Sequence, residues 1–198
     1  GIYSNAGVDF TMTGATDNGI SFSASVNIDA GEEVDTGDFE YDGTDGGTAG
    51  LGAVSMTGAF GTLTFDNNGI DNLYSDATTH DVSYATTIGA IGLTIGYDVT
   101  GGANATSASA TYTAGGMAFT LNASEATGGM STDLAVSYAL NDTVTITADT
   151  DSAAGGASVQ SVGASTTLNG VSVAVSSANN STWDVDLGYT AGGFALTY

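Results

Sequence analysis

Residues 8 to 28 read VDFTMTGATDNGISFSASVNI, and the order of side-chain types along them decides the fold class. From position 20 onward Ile20, Phe22, Ala24, Val26 and Ile28 alternate with Ser21, Ser23, Ser25 and Asn27. Period two belongs to a strand, whose successive side chains leave opposite faces of a sheet, and not to a helix. The preceding run makes the same split, with Val8, Phe10 and Met12 against Asp9, Thr11 and Thr13. Asp17-Asn18-Gly19 lies between them, and Asn and Gly accept the positive φ that a tight hairpin turn demands. The stretch is therefore a hairpin with one apolar face and one small, polar face.

The pattern repeats outward along nearly the whole chain. Val144, Ile146 and Ala148 oppose Thr143, Thr145, Thr147 and Asp149, while Trp183, Val185, Leu187 and Tyr189 oppose Asp184, Asp186 and Gly188. Turn signals recur at Ala59-Phe60-Gly61, Gly115-Gly116, Asn141-Asp142, Asn169-Gly170 and Gly192-Gly193. The spacing predicts about fourteen strands, near 6–15, 20–29, 50–58, 62–67, 79–87, 91–99, 105–113, 117–124, 131–139, 143–149, 158–168, 171–176, 182–190 and 194–198. Tight turns fall after the odd-numbered strands and most of the longer connections after the even ones. That alternation sends turns to one end and loops to the other.

Composition limits the function. The 198 residues include 30 Gly and 22 acidic side chains but no Pro, Cys, Lys or Arg, for a formal charge of −22. Phosphate backbones repel such a chain, so no nucleic acid is expected as a partner. Without Cys there are no disulfides and no thiolate metal sites. No run of 18 apolar residues exists to form a membrane-spanning helix, and the first residues lack the charged start and apolar stretch of an export signal. The chain is read as mature, trimmed or not exported. A chain free of Lys and Arg is either under selection, for example by trypsin-like proteases, or a piece of a longer one.

The polar face carries Ser, Thr, Ala, Gly, Asn and Asp, without the long charged side chains that protect exposed sheets and their edges. Short polar side chains suit a wet, crowded interior. The apolar face carries Val, Ile, Leu, Ala and Phe, with Tyr3, Tyr84, Tyr97, Tyr112, Tyr138, Tyr189, Tyr198 and Trp183 mostly near strand ends, as in the aromatic girdles of membrane barrels. In a bilayer, every backbone group has to be paired, so hairpins of this kind must close on themselves. The expectation is one all-β domain over 1–198, an antiparallel up-and-down transmembrane β-barrel of about 14–16 strands with part of the first strand absent.

At residue level, VDFTMTGATDNGISFSASV (8 to 26) resembles the second and third strands, with their tight periplasmic turn, of alphaproteobacterial general diffusion porins. GIYSN before it resembles the end of that family's first strand. MTGAFGTLTFDN (56 to 67) resembles the hairpin that leads into the constriction loop, and NGIDNLYSD (68 to 76) the start of that loop. Beyond residue 80 the similarity is one of general pattern. The resemblance implies a passive bacterial outer-membrane channel for small hydrophilic solutes, a homotrimer in contact with outer-membrane lipid and lipopolysaccharide, with no enzymatic activity and no required cofactor. Two departures stand out. The basic cluster that usually faces the acidic constriction loop has no residues here to form it, and the loop at 66 to 79 is short for an inward fold.

Asp66, Asp71 and Asp76 are the candidate constriction acids, the competing reading being a polar surface loop. Asp9, Asp98, Asp149 and Asp186 are candidate pore-lining acids, and with no fixed positive charge beside them they favour cations. Asp29, Glu32, Glu33, Asp35, Asp38, Glu40, Asp42 and Asp45 crowd one long loop. Within it, Asp38, Glu40, Asp42 and Asp45 are candidate Ca²⁺ ligands, since Asp38-x-Glu40-x-Asp42-Gly43 copies the first half of a calcium loop. Ala49 stands where the bidentate Glu belongs, and a solvated acidic loop is the competing reading. His80, the one imidazole, is expected at a strand start near an interface. An alternative for the whole chain is a secreted extracellular structural or adhesive β protein, or filament subunit, stabilised by Ca²⁺.

Overall fold

The computed structural model describes residues 3–33, 43–44, 49–75, 77–102, 105–191 and 194–198. Its strands are β1 Tyr3–Ala15, β2 Ser21–Glu33, β3 Gly43–Thr44, β4 Ala49–Gly58, β5 Gly61–Asp71, β6 Thr79–Ile88, β7 Ile91–Tyr97, β8 Thr106–Ala114, β9 Met117–Ala126, β10 Gly129–Ala139, β11 Val144–Ser152, β12 Val159–Leu168, β13 Val171–Ala178, β14 Trp183–Ala191 and β15 Phe194–Thr197. Fourteen of them pair in chain order, each antiparallel to the next, and the two-residue β3 attaches to β2. The result is an all-β, up-and-down, barrel-like sheet without helices among the described residues. Among those residues no ladder joins β1 to β15, so the expected closure is not part of the observed pairing.

The turns follow from residue type. Asn169 and Gly170 both have positive φ, 52° and 81°, as do Gly115 and Gly116 at 58° and 80°, the conformation that matches a two-residue turn to the twist of its strands. At the other end β5 runs to Asp71 and β6 begins at Thr79, leaving 72–78 as the connection. Thr127 and Gly128 alone join β9 to β10, so that loop is tighter than its sequence suggested.

The register carries one face through the whole sheet. Phe10 pairs with Val26, Phe65 with Val82, Tyr84 with Ile95, and Val173 with Leu187. These side chains lie on the side opposite Ser107, Ser124 and Asp133. Most large apolar residues on it are exposed, including Phe10 at 52%, Leu121 at 45% and Leu187 at 44%. Phe10, Phe22, Val26, Phe65, Ile95, Val144, Val173 and Leu187 all fall on this outer face, and Asp9, Ser23, Thr64, Thr145 and Asp186 on the inner one. Aromatic residues gather near the turn end, where the Tyr112 and Phe119 rings lie 6.2 Å apart and the Tyr84 hydroxyl donates to the Phe60 carbonyl.

Ala105 is the one buried hydrophobic residue among those described, and apart from Gly96 the remaining buried residues are polar: Asn72, His80, Asp81, Ser107, Ser124 and Ser131. A sheet one layer thick has no second layer to enclose an apolar core. If the outer face meets hydrocarbon, an arginine there is costly and one on the inner face is not. For protein refolded into lipid vesicles, Leu121→Arg is expected to lower stability by about 2–4 kcal/mol and Thr120→Arg by far less, read from urea unfolding midpoints.

Candidate functional site: an inward loop pinned to an acidic wall

The buried polar residues converge on the connection between β5 and β6. The Asn72 amide donates to the Thr78 carbonyl at 3.0 Å, which draws the two ends of the loop together. Asn72 Oδ1 accepts the Tyr74 and Ser75 amides at 2.9 and 3.3 Å, a local Asx arrangement that turns the chain back on itself. Asn72 Nδ2 reaches the inner wall and donates to Ser124 Oγ of β9 at 2.8 Å. The Leu73 amide donates to Ser107 Oγ of β8 at 3.1 Å, and the Tyr74 hydroxyl donates to Asp151 Oδ1 of β11 at 2.7 Å. The segment therefore lies across the inner face, over β8 to β11. Its shortness does not keep it out, because a few side-chain bonds from one tight turn span the distance.

His80, the second residue of β6, lies at the strand start expected for it, beneath this loop. Its ring is fully buried, with Nε2 2.7 Å from Ser107 Oγ and Nδ1 3.0 Å from the Thr79 carbonyl. A serine–histidine pair is the beginning of a nucleophilic site. Here both side chains are closed off from solvent, and a carbonyl stands where a third catalytic group would orient the ring. Asp81, also buried, accepts the Asn68 amide on Oδ1 at 3.0 Å and the Val99 amide on Oδ2 at 2.9 Å. Those bonds hold the irregularity of β5 between Phe65 and Ile70 against the turn after β7. No buried side-chain polar atom among the described residues lacks a partner.

The wall under the loop is acidic. Asp133 pairs with Asp151 and Ala135 with Asp149 between β10 and β11, which puts the three carboxylates on the face that Tyr74 touches. Asp151, and behind it Asp133, raise the Tyr74 phenol above its ordinary value of 10.0, so it stays a donor into the alkaline range. Asp9 accepts Asn27 Nδ2 at 2.6 Å on the same inner face, and Asp184 and Asp186 lie opposite Ser176 and Ala174.

The other sequence candidates fall in different places. Asp66 sits in the β5 irregularity, where a methyl group on Gly69 would strike its carboxylate. Asp71 pairs with Thr79 at the base of the loop. Asp98 is in the turn beyond β7, and its Oδ1 accepts the Thr100 amide at 2.8 Å and hydroxyl at 2.6 Å. The hydroxyl and then the amide hold the Asp98 carboxyl below the ordinary carboxylate range. Asp76, Asp38, Glu40, Asp42 and Asp45 lie outside the described residues. No group of three His, Asp or Glu placed to hold a metal ion occurs among the described residues. Sequence reading overlooked Asn72, Ser107, Ser124, Asp133 and Asp151. The Asp149-x-Asp151 spacing, two acids on one face of one strand, was the available signal for the last.

No family model matches the chain, and neither does any curated protein. Solved structures do match in fold. An engineered variant of the Rhodopseudomonas blastica porin superimposes with a TM-score of 0.61 at 12% identity, covering 98% of this chain and 83% of that one. A second variant of that porin gives 0.60 at 13% identity with the same coverage, as does a structure titled for asymmetric conductivity of engineered proteins. The chain thus shares the fold of those porin structures.

Two outcomes test the site. Asn72→Ala removes the bond to Ser124 and both turn bonds, and is expected to cost about 2–4 kcal/mol of local stability, read as faster hydrogen exchange at the Tyr74 and Ser75 amides. Because the Asp98 pKa is lowered on folding, its turn is stabilised above the ordinary carboxylate range and loses that stabilisation as pH falls through the lowered value. Thr100→Ala should move the Asp98 carboxyl titration upward, as followed by carbon-13 NMR.

Proposed function

We propose that the chain forms a passive, cation-preferring channel for small hydrophilic solutes in a bacterial outer membrane. The observation that carries this reading is the loop 72–78 lying across a polar, acid-bearing inner face while the outer face presents exposed apolar side chains. A water-filled passage between the loop and the remaining wall would be lined by Asp9, Asp133, Asp149, Asp151 and Asp186, with Asp66, Asp71 and Asp76 at and around the loop. Asp98, bound to Thr100 in the turn beyond β7, would add to the same negative charge. The whole sequence offers no Lys or Arg to balance these charges.

Fixed carboxylates in a narrow lumen with low-dielectric walls focus the field inward, so cations are enriched and anions excluded. No cofactor or catalytic step is required. The resemblance of residues 8 to 26 and 56 to 76 to general diffusion porins supports a homotrimer in contact with outer-membrane lipid and lipopolysaccharide. Ca²⁺ at Asp38, Glu40, Asp42 and Asp45 would screen the acidic loop in this reading.

The test is the reversal potential across a planar bilayer under a KCl gradient. A potential of the sign for K⁺ permeation is expected, shrinking as salt rises and the Debye length falls below about 10 Å. An anion-preferring or unselective channel would refute the selectivity. A preparation soluble without detergent that forms no channels would refute the channel itself and favour the secreted structural protein.

A further inference from the structure

We infer that His80 is the positioning residue for the inward loop, acting through Ser107 as a clasp that fixes where the constriction stands. The reading rests on the proposed channel for its consequence but not for its geometry. A carbonyl only accepts, so the contact to the Thr79 oxygen places the ring hydrogen on Nδ1. In the neutral ring, Nε2 then accepts from the Ser107 hydroxyl. Ser107 Oγ in turn accepts the Leu73 amide. The chain of donors runs from the start of the loop, through the wall of β8, to the residue at which the loop rejoins the sheet. Each bond polarises the next, and every member is buried or half-buried, where a lost partner is not replaced by water.

The sheet is built to receive this ring. A methyl group at Gly96 of β7 would overlap His80 Cδ2 and stand 3.0 Å from Ser107 Oγ, so the absence of a side chain there makes the seat. Among the described residues, His80 and Ser107 are the largest fully buried side chains. A merely solvated histidine needs neither a glycine under it nor two satisfied nitrogens. Asp81, next along β6, uses both carboxylate oxygens on backbone amides and does not take part.

The clasp is read first without any channel, as hydrogen exchange at the Leu73 amide of the intact protein in detergent. His80→Ala and Ser107→Ala are each expected to speed that exchange roughly ten-fold or more, while His80→Gln, whose amide oxygen reaches the position of Nε2, stays near the parent rate. In planar bilayers, the two alanine variants should show excess open-channel current noise as the freed loop moves, and His80→Gln should not. The chain has no cysteine, so Asn72→Cys with Ser124→Cys in the His80→Ala background can be bridged by a short bis(methanethiosulfonate), each thiolate displacing a methanesulfinate to form a reducible mixed disulfide. Bridging should quiet the current and reduction should restore the noise.

Leu73 exchange unchanged in both alanine variants, or equally fast in His80→Gln, would overturn the clasp. If His80→Ala does not assemble, Ser107→Ala decides alone by the same two readouts. If the parent protein conducts no current at all, the channel reading fails while the exchange result still stands for or against the clasp.

Discussion

A wall one strand thick has nothing behind it, and the rest of the structure follows from that constraint. Each backbone group out of reach of water has to find its partner in the neighbouring strand. Thirteen consecutive antiparallel ladders among the described residues meet that demand. Burial is then inverted relative to an ordinary domain. The apolar side chains face outward and, apart from Ala105 and Gly96, the buried positions among the described residues are asparagine, histidine, aspartate and serine. Hydrophobic burial within the chain therefore contributes little to holding the parts in place. The outer face instead calls for an apolar surrounding, and the inner face for directional bonds.

Those directional bonds give the site its definition. A hydrophobic contact would let the loop slide over the wall, whereas bonds from Asn72 to Ser124, Leu73 to Ser107 and Tyr74 to Asp151 fix three points on three different strands. The partners are mostly shielded, so breaking one bond leaves its other half unsatisfied. Electrostatics act differently in the same space. The Asp133, Asp149 and Asp151 carboxylates repel one another and can be relieved only by protons, water or mobile cations, because the sequence supplies no fixed positive charge. Structure and charge together set a pinned loop over an acidic wall, using residues that are individually unremarkable.

The likeness to porin structures at 12–13% identity has a physical reading. An alternating pattern can be met by many sequences, since any small polar residue serves inside and any apolar residue outside. Resemblance at the level of residues is then confined to places where geometry restricts the choice. The turn at Asp17-Asn18-Gly19 and the hairpin running into the loop are such places, where Gly19 and Gly61 hold positive φ.

Much of the architecture was legible because strand period, face and turn are local properties. Val8 to Ile28 shows two strands, their turn and the side each residue takes. The alternation of tight turns with longer connections orders the remaining strands. The acidic, cation-free composition sets the sign of any field the protein makes. None of this reveals which side chains from distant strands meet. Leu73 and Ser107, Tyr74 and Asp151, and His80 over Gly96 are brought together by the curvature of the sheet and by the way one short loop folds back across it. Sequence alone determined the faces, the turns and the charge, since each depends on near neighbours along the chain. The tertiary structure decided which strands the loop after β5 meets and where His80 sits, since those depend on strand register added up across several ladders, which no local pattern encodes.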